Sequence, residues 1–105
     1  QTVNEFVRDS ASQRFEFTFE LFWKSLKGYA DDLEVEAYSP RDSLRTAFQL
    51  GVIQENSDWF QMLQDRNLTS HTYNEVTAET IYSHLPSYLL LIRQAHAELM
   101  RRIKS

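Results

Sequence analysis

The chain has 105 residues, of which 42% are hydrophobic and 25% charged, so it fits one soluble domain and is too short for two. Cysteine is absent, which excludes disulfides, Cys-ligated zinc and thiol nucleophiles. The net charge of −4 disfavours broad electrostatic attachment to nucleic acid, and no apolar run approaches the roughly 20 residues of a membrane span. With only two Gly and two Pro, helices are favoured over a many-stranded sheet.

The first predicted helix begins at Phe15 and extends over about 20 residues, because apolar side chains recur there at steps of three and four. Its predicted inward row is Phe15, Phe19, Phe22, Leu26, Tyr29 and Leu33. Phe17, Leu21 and Trp23 lie off this row, so the helix should be covered on more than one side, in a bundle interior or a dimer interface. Glu16 and Glu20 are interpreted as helix surface.

The second predicted helix has Ser39 as its N-cap, Pro40 at its first position and Asp42 in its first turn. Gly51 is a natural stop. The residues expected to face inward are Leu44, Ala47 and Phe48.

The third predicted helix is capped by Asn56 or Ser57 and begins at about Asp58. It should extend to about Thr69 and bury Trp59, Phe60 and Leu63.

The last predicted helix opens with a capping box formed by Thr72 and Glu75. Its inward row is Ile81, Leu85, Tyr88, Ile92, Ala95, Leu99 and Ile103. Pro86 removes one backbone donor, so we expect a kink near it. Together the four helices predict an all-α fold: one domain over residues 1–105, an antiparallel up-and-down four-helix bundle that we expect to dimerise.

The row that contains Phe60 and Leu63 continues with Asn67 and His71, so a buried row becomes polar. Arg66 stands beside Asn67, and these polar side chains are predicted to converge where the third helix meets the fourth. A histidine can transfer a proton near neutral pH, and a guanidinium can stabilise charge on a phosphoryl group. The pair therefore suits metal-independent cleavage of an RNA backbone. An ordinary helix end with capping or ion-pairing side chains is the alternative.

The other polar clusters are interpreted as structural. His84 and His96 lie off or at the edge of the inward row of the last helix, which suggests surface or interface roles. The C-terminal cluster Arg101, Arg102 and Lys104 is expected to complement a helix dipole, although a local basic patch is the alternative.

Four blocks resemble the nucleotidyltransferase substrate-binding protein family of the HEPN superfamily, which is similar to the HepT toxins of HEPN/MNT toxin–antitoxin pairs. The blocks are RFEFTFELFWKSLK (14–27), SPRDSLRTAF (39–48), DWFQMLQDRNLTSHTYNE (58–75) and AETIY (78–82). The third block carries the superfamily motif of Arg, four residues, His, any residue and Tyr. Family members usually have another helix before the first block, where this chain has only 13 residues.

The resemblance implies a cytoplasmic HEPN-like homodimer that acts as the toxin of a toxin–antitoxin pair, an endoribonuclease without metal or cofactor. Its implied partners are a small MNT-type nucleotidyltransferase and RNA, either tRNA or mRNA. Arg66 and His71 match the ribonuclease pair with Asn67 beside them, and Tyr73 matches the tyrosine that the partner modifies with AMP. The alternatives are a non-catalytic substrate-binding subunit of a two-component nucleotidyltransferase, or a dimerising bundle whose polar stretch is structural.

Overall fold

The computed structural model describes residues 2–71 and 74–104, without the side chains of residues 70 and 71. Within this part of the chain it contains four α-helices and no strand, which confirms the predicted all-α bundle. The helices are α1 (Val3–Asp32), α2 (Pro40–Gln49), α3 (Asp58–His71) and α4 (Glu75–Lys104). The long helices α1 and α4 pack against each other, while the shorter α2 and α3 pack on them and on one another. The bundle measures 47 × 23 × 20 Å.

Helix α1 begins at Val3, so the predicted start at Phe15 is wrong by more than three turns. Thr2 and Glu5 form a capping box that starts the helix. The inward row extends backwards through Ser12 and Arg8, both of which are buried. Arg8 donates hydrogen bonds to Asp9 and, at 2.9 Å, to Glu79 of α4. The apolar row of the sequence stopped at Phe15 because its two preceding members are polar.

Helix α2 has the predicted cap, with the Ser39 side chain accepting a hydrogen bond from the Asp42 N–H at 3.1 Å. The helix ends at Gln49, and Gly51 follows at a φ of +77°, as the stop signal predicted. Leu44 and Ala47 are buried as predicted. Phe48 was also predicted to face the core, but it is 42% exposed.

Helix α3 begins at Asp58 as predicted, and the Asn56 side chain accepts from the Asp58 N–H at 2.9 Å. Trp59 and Leu63 are buried. The prediction for Phe60 is wrong, since 42% of this residue is exposed. Helical spacing identifies residues that share a face, but tertiary packing decides which face is covered.

At the start of α4, the Asn74 side chain accepts a hydrogen bond from the Thr77 N–H at 2.9 Å, so Asn74 takes the capping role predicted for Thr72. Thr72 itself lies outside the described residues. The predicted row is buried from Ile81 to Leu99, whereas its last member, Ile103, is exposed. Helix α4 runs through Pro86, and the expected kink stays a prediction.

Among the C-terminal cations of α4, Arg102 links this helix to the end of α2. Arg101 and Arg102 both donate to Glu98, and Arg102 also donates to the Leu50 carbonyl oxygen at 2.7 Å, at the end of α2. A guanidinium there satisfies a carbonyl that the helix leaves unpaired.

The core lies between the four helices and is rich in aromatic side chains. Phe22 stacks on Trp59 with ring centroids 5.5 Å apart, and Phe15 packs between Phe19 and Tyr88. Each fully buried side chain of this size contributes roughly 1.5–3 kcal/mol to folding. Across the described helices, none combines the length and apolar character that a membrane crossing requires.

Candidate functional site

Arg66 lies on α3 and faces α1. Its Nη2 donates to the Glu20 Oε1 of α1, and its Nη1 donates to the Asn67 Oδ1 at 3.1 Å. The Arg66 side chain is 24% exposed. The structure thus brings Arg66 and Asn67 into contact and places the Arg66 guanidinium against Glu20 of α1.

Glu20 holds the guanidinium from the opposite side and is itself held by Trp23, whose Nε1 donates to Glu20 Oε2 at 2.5 Å. Burial acts to raise the pKa of Glu20, but the hydrogen bonds from Trp23 and Arg66, with the charge of Arg66, outweigh it and place this pKa below the usual range. Glu20 is therefore ionised at neutral pH. The interpretation of Glu20 as simple helix surface is wrong: it fixes the orientation of Arg66.

Asn67 is exposed on the face of α3 that points away from the core. The same face carries Gln64 and Phe60 at the preceding steps of three and four. The predicted row therefore does not begin as a wholly buried row, because Leu63 is buried while Phe60 is 42% exposed. His71 follows Asn67 by four residues and is the last residue of α3.

The remaining motif residues are described only in part. The backbone of His71 belongs to α3, but its side chain lies outside the described residues, and so does all of Tyr73. The structure therefore places Arg66 and Asn67 in contact, while the predicted approach of His71 and the role of Tyr73 stay predictions.

A second polar cluster was missed by the sequence analysis. Asp65, which is 6% exposed, accepts a hydrogen bond on Oδ2 from the Tyr88 hydroxyl at 2.5 Å, and its Oδ2 lies 2.8 Å from His84 Nδ1. Burial and the neighbouring Asp65 both raise the pKa of Tyr88, so its hydroxyl keeps its proton. His84, for which surface or interface roles were predicted, contacts Asp65 and so joins α4 to α3.

One signal could have revealed this cluster. Tyr88 was predicted to be buried, and a buried tyrosine hydroxyl needs a hydrogen-bond partner. His84 lies one turn earlier on the same helix, which makes it a natural second member. Asp65 could not be found by this reasoning, because its contact with Tyr88 is made between helices.

Chemically, the site presents a guanidinium whose direction is fixed by Glu20 and Asn67, on a helix that ends at His71. A held guanidinium can stabilise charge on a phosphoryl group without reorganising first. In the part of the chain that is described, no three His, Asp or Glu side chains group together in a way that could hold a metal ion.

A four-helix bundle with an Arg–Asn pair near the end of its third helix, the arginine five residues before a histidine, defines a HEPN-like helical protein. Comparison with known families agrees with this class. The profile of the family described as "Nucleotidyltransferase substrate binding protein like" matches residues 1–101. The chain belongs to this family, which confirms the resemblance of the four sequence blocks.

Two relatives extend the comparison. The chain is 36% identical over 95 residues to a Haemophilus influenzae protein named "Probable ribonuclease HepT", an alignment that covers 84% of this chain and 64% of that protein. The chain thus spans less than two thirds of that relative's length. A crystal structure of a protein from Thermus thermophilus superposes with a TM-score of 0.81 at 42% identity, covering 88% of this chain and 80% of the other.

Proposed function

We propose that this chain is the toxin of a HEPN-type toxin–antitoxin pair, a metal-independent endoribonuclease controlled by a partner nucleotidyltransferase. The observation that carries the proposal is the Arg66 guanidinium, held by Glu20 and Asn67 on the helix that ends at His71. The name of the Haemophilus influenzae relative, "Probable ribonuclease HepT", supports the same activity.

In the proposed reaction, the ribose 2′-hydroxyl attacks the adjacent phosphorus, the new O2′–P bond forms and the P–O5′ bond breaks. His71 acts as the general base that takes the 2′-hydroxyl proton or as the acid that protonates the leaving 5′-oxygen. Arg66 stabilises the additional negative charge on the phosphoryl oxygens. The products are a 2′,3′-cyclic phosphate and a 5′-hydroxyl end.

Regulation is proposed to act on Tyr73, two residues after His71. Transfer of AMP from ATP to its hydroxyl by the partner enzyme, with release of pyrophosphate, would add a phosphodiester with a negative charge two residues after His71. Repulsion between that charge and the RNA phosphate would then silence cleavage. The proposed assembly is a cytoplasmic homodimer with a small MNT-type nucleotidyltransferase, acting on tRNA or mRNA.

The experiment is expression in cells of the parent chain and, separately, of its His71→Ala variant. We expect growth arrest with the parent chain and normal growth with the variant, at equal levels of folded protein. Coexpression with the proposed partner nucleotidyltransferase should restore growth and add the mass of one AMP, and Tyr73→Phe should abolish that mass increase. Equal growth of cells that express the parent chain and cells that express His71→Ala would refute the toxin hypothesis.

A second candidate is a non-catalytic subunit that supplies a substrate platform to the nucleotidyltransferase. The ion pair between Arg66 and Glu20 favours it, because a guanidinium held by a carboxylate can serve structure alone. This candidate predicts that Arg66→Ala lowers stability by leaving Glu20 without its cation, and that a stable complex with the partner forms without any growth effect. Arg93→Ala, an exposed arginine on α4, is the matched control.

A further inference from the structure

A groove between α2 and α3 leads toward the candidate site. On its α3 side it is lined by Phe60, Gln64 and Asn67, with Leu63 as an apolar floor and Arg41 facing them from α2. Its volume is about 540 Å³. A second groove of about 320 Å³ lies on the other side of Phe60 and is lined by Arg45 and Phe48 of α2, among others. We name the two together the α2–α3 groove.

Exposed aromatic and basic side chains both line this groove. Phe48 and Phe60 are each 42% exposed. Arg41, Arg45 and Phe48 follow one another at steps of four and three on one face of α2. The Arg41 guanidinium carbon lies 5.7 Å from the centre of the Phe60 ring, in cation–π contact. Exposed aromatic rings beside guanidinium groups suit an occupant with flat apolar faces and negative charge.

The groove also carries groups that hydrogen-bond in both directions. The carboxamides of Gln61, Gln64 and Asn67 line it, and each offers a donor and an acceptor. Within the residues that the structure describes, Arg41 and Arg45 form no ion pair with a carboxylate. Such a groove fits a nucleotide: the cations match its phosphates, the amides match the hydrogen-bonding edge of its base, and the aromatic rings match the flat face of its base.

From these observations we propose that the α2–α3 groove binds an unpaired nucleotide of single-stranded RNA, with its base stacked on Phe60 and its phosphates toward Arg41 and Arg45. Aromatic side chains and arginines take bases in this way in proteins that bind single strands. The inference rests on the proposed function, since it names the subsite that holds the substrate next to the cleaved bond.

The position of the groove relative to Arg66 and His71 supports this occupant. Phe60, Gln64, Asn67 and His71 are spaced at steps of four, three and four along α3, so the row continues from the groove to the proposed catalytic residue. From Phe60 to His71 the helix rises about 16 Å. A strand lying along this row would pass from a stacking subsite directly to the bond that is cut.

The polar lining distinguishes the RNA from an apolar helix as the occupant. Glu55 and Asp58 line the grooves near the start of α3 and would repel phosphates, so the strand must pass on the arginine side. An apolar helix would cover the carboxamides of Gln61 and Gln64 without offering them hydrogen bonds.

The test is binding of a fluorescein-labelled single-stranded RNA of about eight nucleotides, a length within the range of known single-strand sites. Every ribose carries a 2′-O-methyl group, so the RNA cannot be cleaved through its 2′-oxygen. Fluorescence anisotropy gives Kd for the parent chain, Phe60→Leu, Phe60→Trp and Arg41→Met. The matched controls are Phe17→Leu, an exposed phenylalanine on α1, and Arg93→Met on α4.

We expect Phe60→Leu to raise Kd about 10-fold, because one stacked base is lost. Phe60→Trp should bind within about twofold of the parent chain or more tightly, since indole also stacks. Arg41→Met should weaken binding and reduce its salt dependence, while both controls leave Kd unchanged. An abasic nucleotide at the stacked position should weaken binding to the parent chain but cause no further loss with Phe60→Leu.

Three results would overturn the subsite: no binding by the parent chain, equal Kd for Phe60→Leu and Phe17→Leu, or a change in oligomeric state with Phe60→Leu and no change in Kd. The last result would assign Phe60 to a contact between copies. Failure of the proposed ribonuclease is separate. If the 2′-O-methyl RNA binds through Phe60 but unmodified RNA is never cut, the subsite stands and the ribonuclease falls. If unmodified RNA is cut but Kd is the same for the parent chain and Phe60→Leu, the ribonuclease stands and the subsite falls.

Discussion

The link between α3 and α4 through Asp65, Tyr88 and His84 makes a sharp prediction for one hydroxyl group. Tyr88→Phe removes the O–H that donates to Asp65 Oδ2 at 2.5 Å and leaves the ring in place. Tyr88 is 1% exposed and Asp65 is 6% exposed, so water cannot readily replace the lost partner.

The magnitude follows from the charge of the acceptor. A hydrogen bond to a charged group contributes about 1.5–3 kcal/mol, and a buried charge that loses every partner costs more. Asp65 retains His84 Nδ1 at 2.8 Å, so the charge is not orphaned. We therefore expect Tyr88→Phe to lower the free energy of unfolding by about 2 kcal/mol, which lowers Tm by roughly 10 °C in a domain of this size.

The assay is thermal and urea unfolding followed by circular dichroism, at one protein concentration for all variants because association would shift Tm. The control is Tyr82→Phe on the same helix, where the tyrosine is 41% exposed. Its effect should stay within about 0.5 kcal/mol. Equal Tm values for Tyr88→Phe and Tyr82→Phe would refute the reasoning, because the buried hydrogen bond would then contribute nothing.

Further variants test the helix ends. Hydrogen bonds from Arg101 and, to a smaller extent, from Arg102 lower the pKa of Glu98 from 4.5 to about 2. The ion pairs of Glu98 therefore stabilise the fold above pH 4.5, and this stabilisation is lost as the pH falls toward 2. Glu98→Gln should therefore show a smaller loss of Tm across that range than the parent chain, and parallel curves would contradict this. Gly51→Ala places a Cβ on a residue with φ +77°, 3.3 Å from an Arg102 nitrogen, so the variant should be strained. Its free energy of unfolding in urea should be lower by about 1 kcal/mol or more, and a higher value would contradict the strain. Ser39→Ala removes the α2 cap and should cost about 1 kcal/mol in the same urea unfolding, whereas Ser39→Gly should cost only a few tenths.

Local signals predicted the short helices well. The Ser39–Pro40 start and the Gly51 stop of α2 depend on neighbouring backbone groups, which the sequence contains in full. The start of α1 was predicted too late because Ser12 and Arg8 interrupt the apolar row, although both are buried. Arg8 forms an ion pair with a neighbouring helix, and the hydrophobic pattern of one helix cannot reveal such a contact.

The candidate site was predictable only where its contacts are local. Arg66 and Asn67 are adjacent and were identified from one motif. Glu20 lies 46 residues from Arg66, and its role depends on how α1 packs against α3. The exposure of Phe60 likewise depends on which face of α3 the other helices cover. Tertiary contacts of this kind are what a single sequence leaves open.

The central claim is that Arg66 and His71 cleave RNA without a metal, and one measurement tests it most directly. Purified parent chain, Arg66→Ala, His71→Ala and the control Arg93→Ala, each shown to be folded, are incubated with single-stranded RNA in the presence of EDTA. The account predicts 2′,3′-cyclic phosphate ends from the parent chain and Arg93→Ala, and rates at least about 100-fold lower for the two site variants. Absence of cleavage by the parent chain, or equal rates in all four proteins, would contradict it.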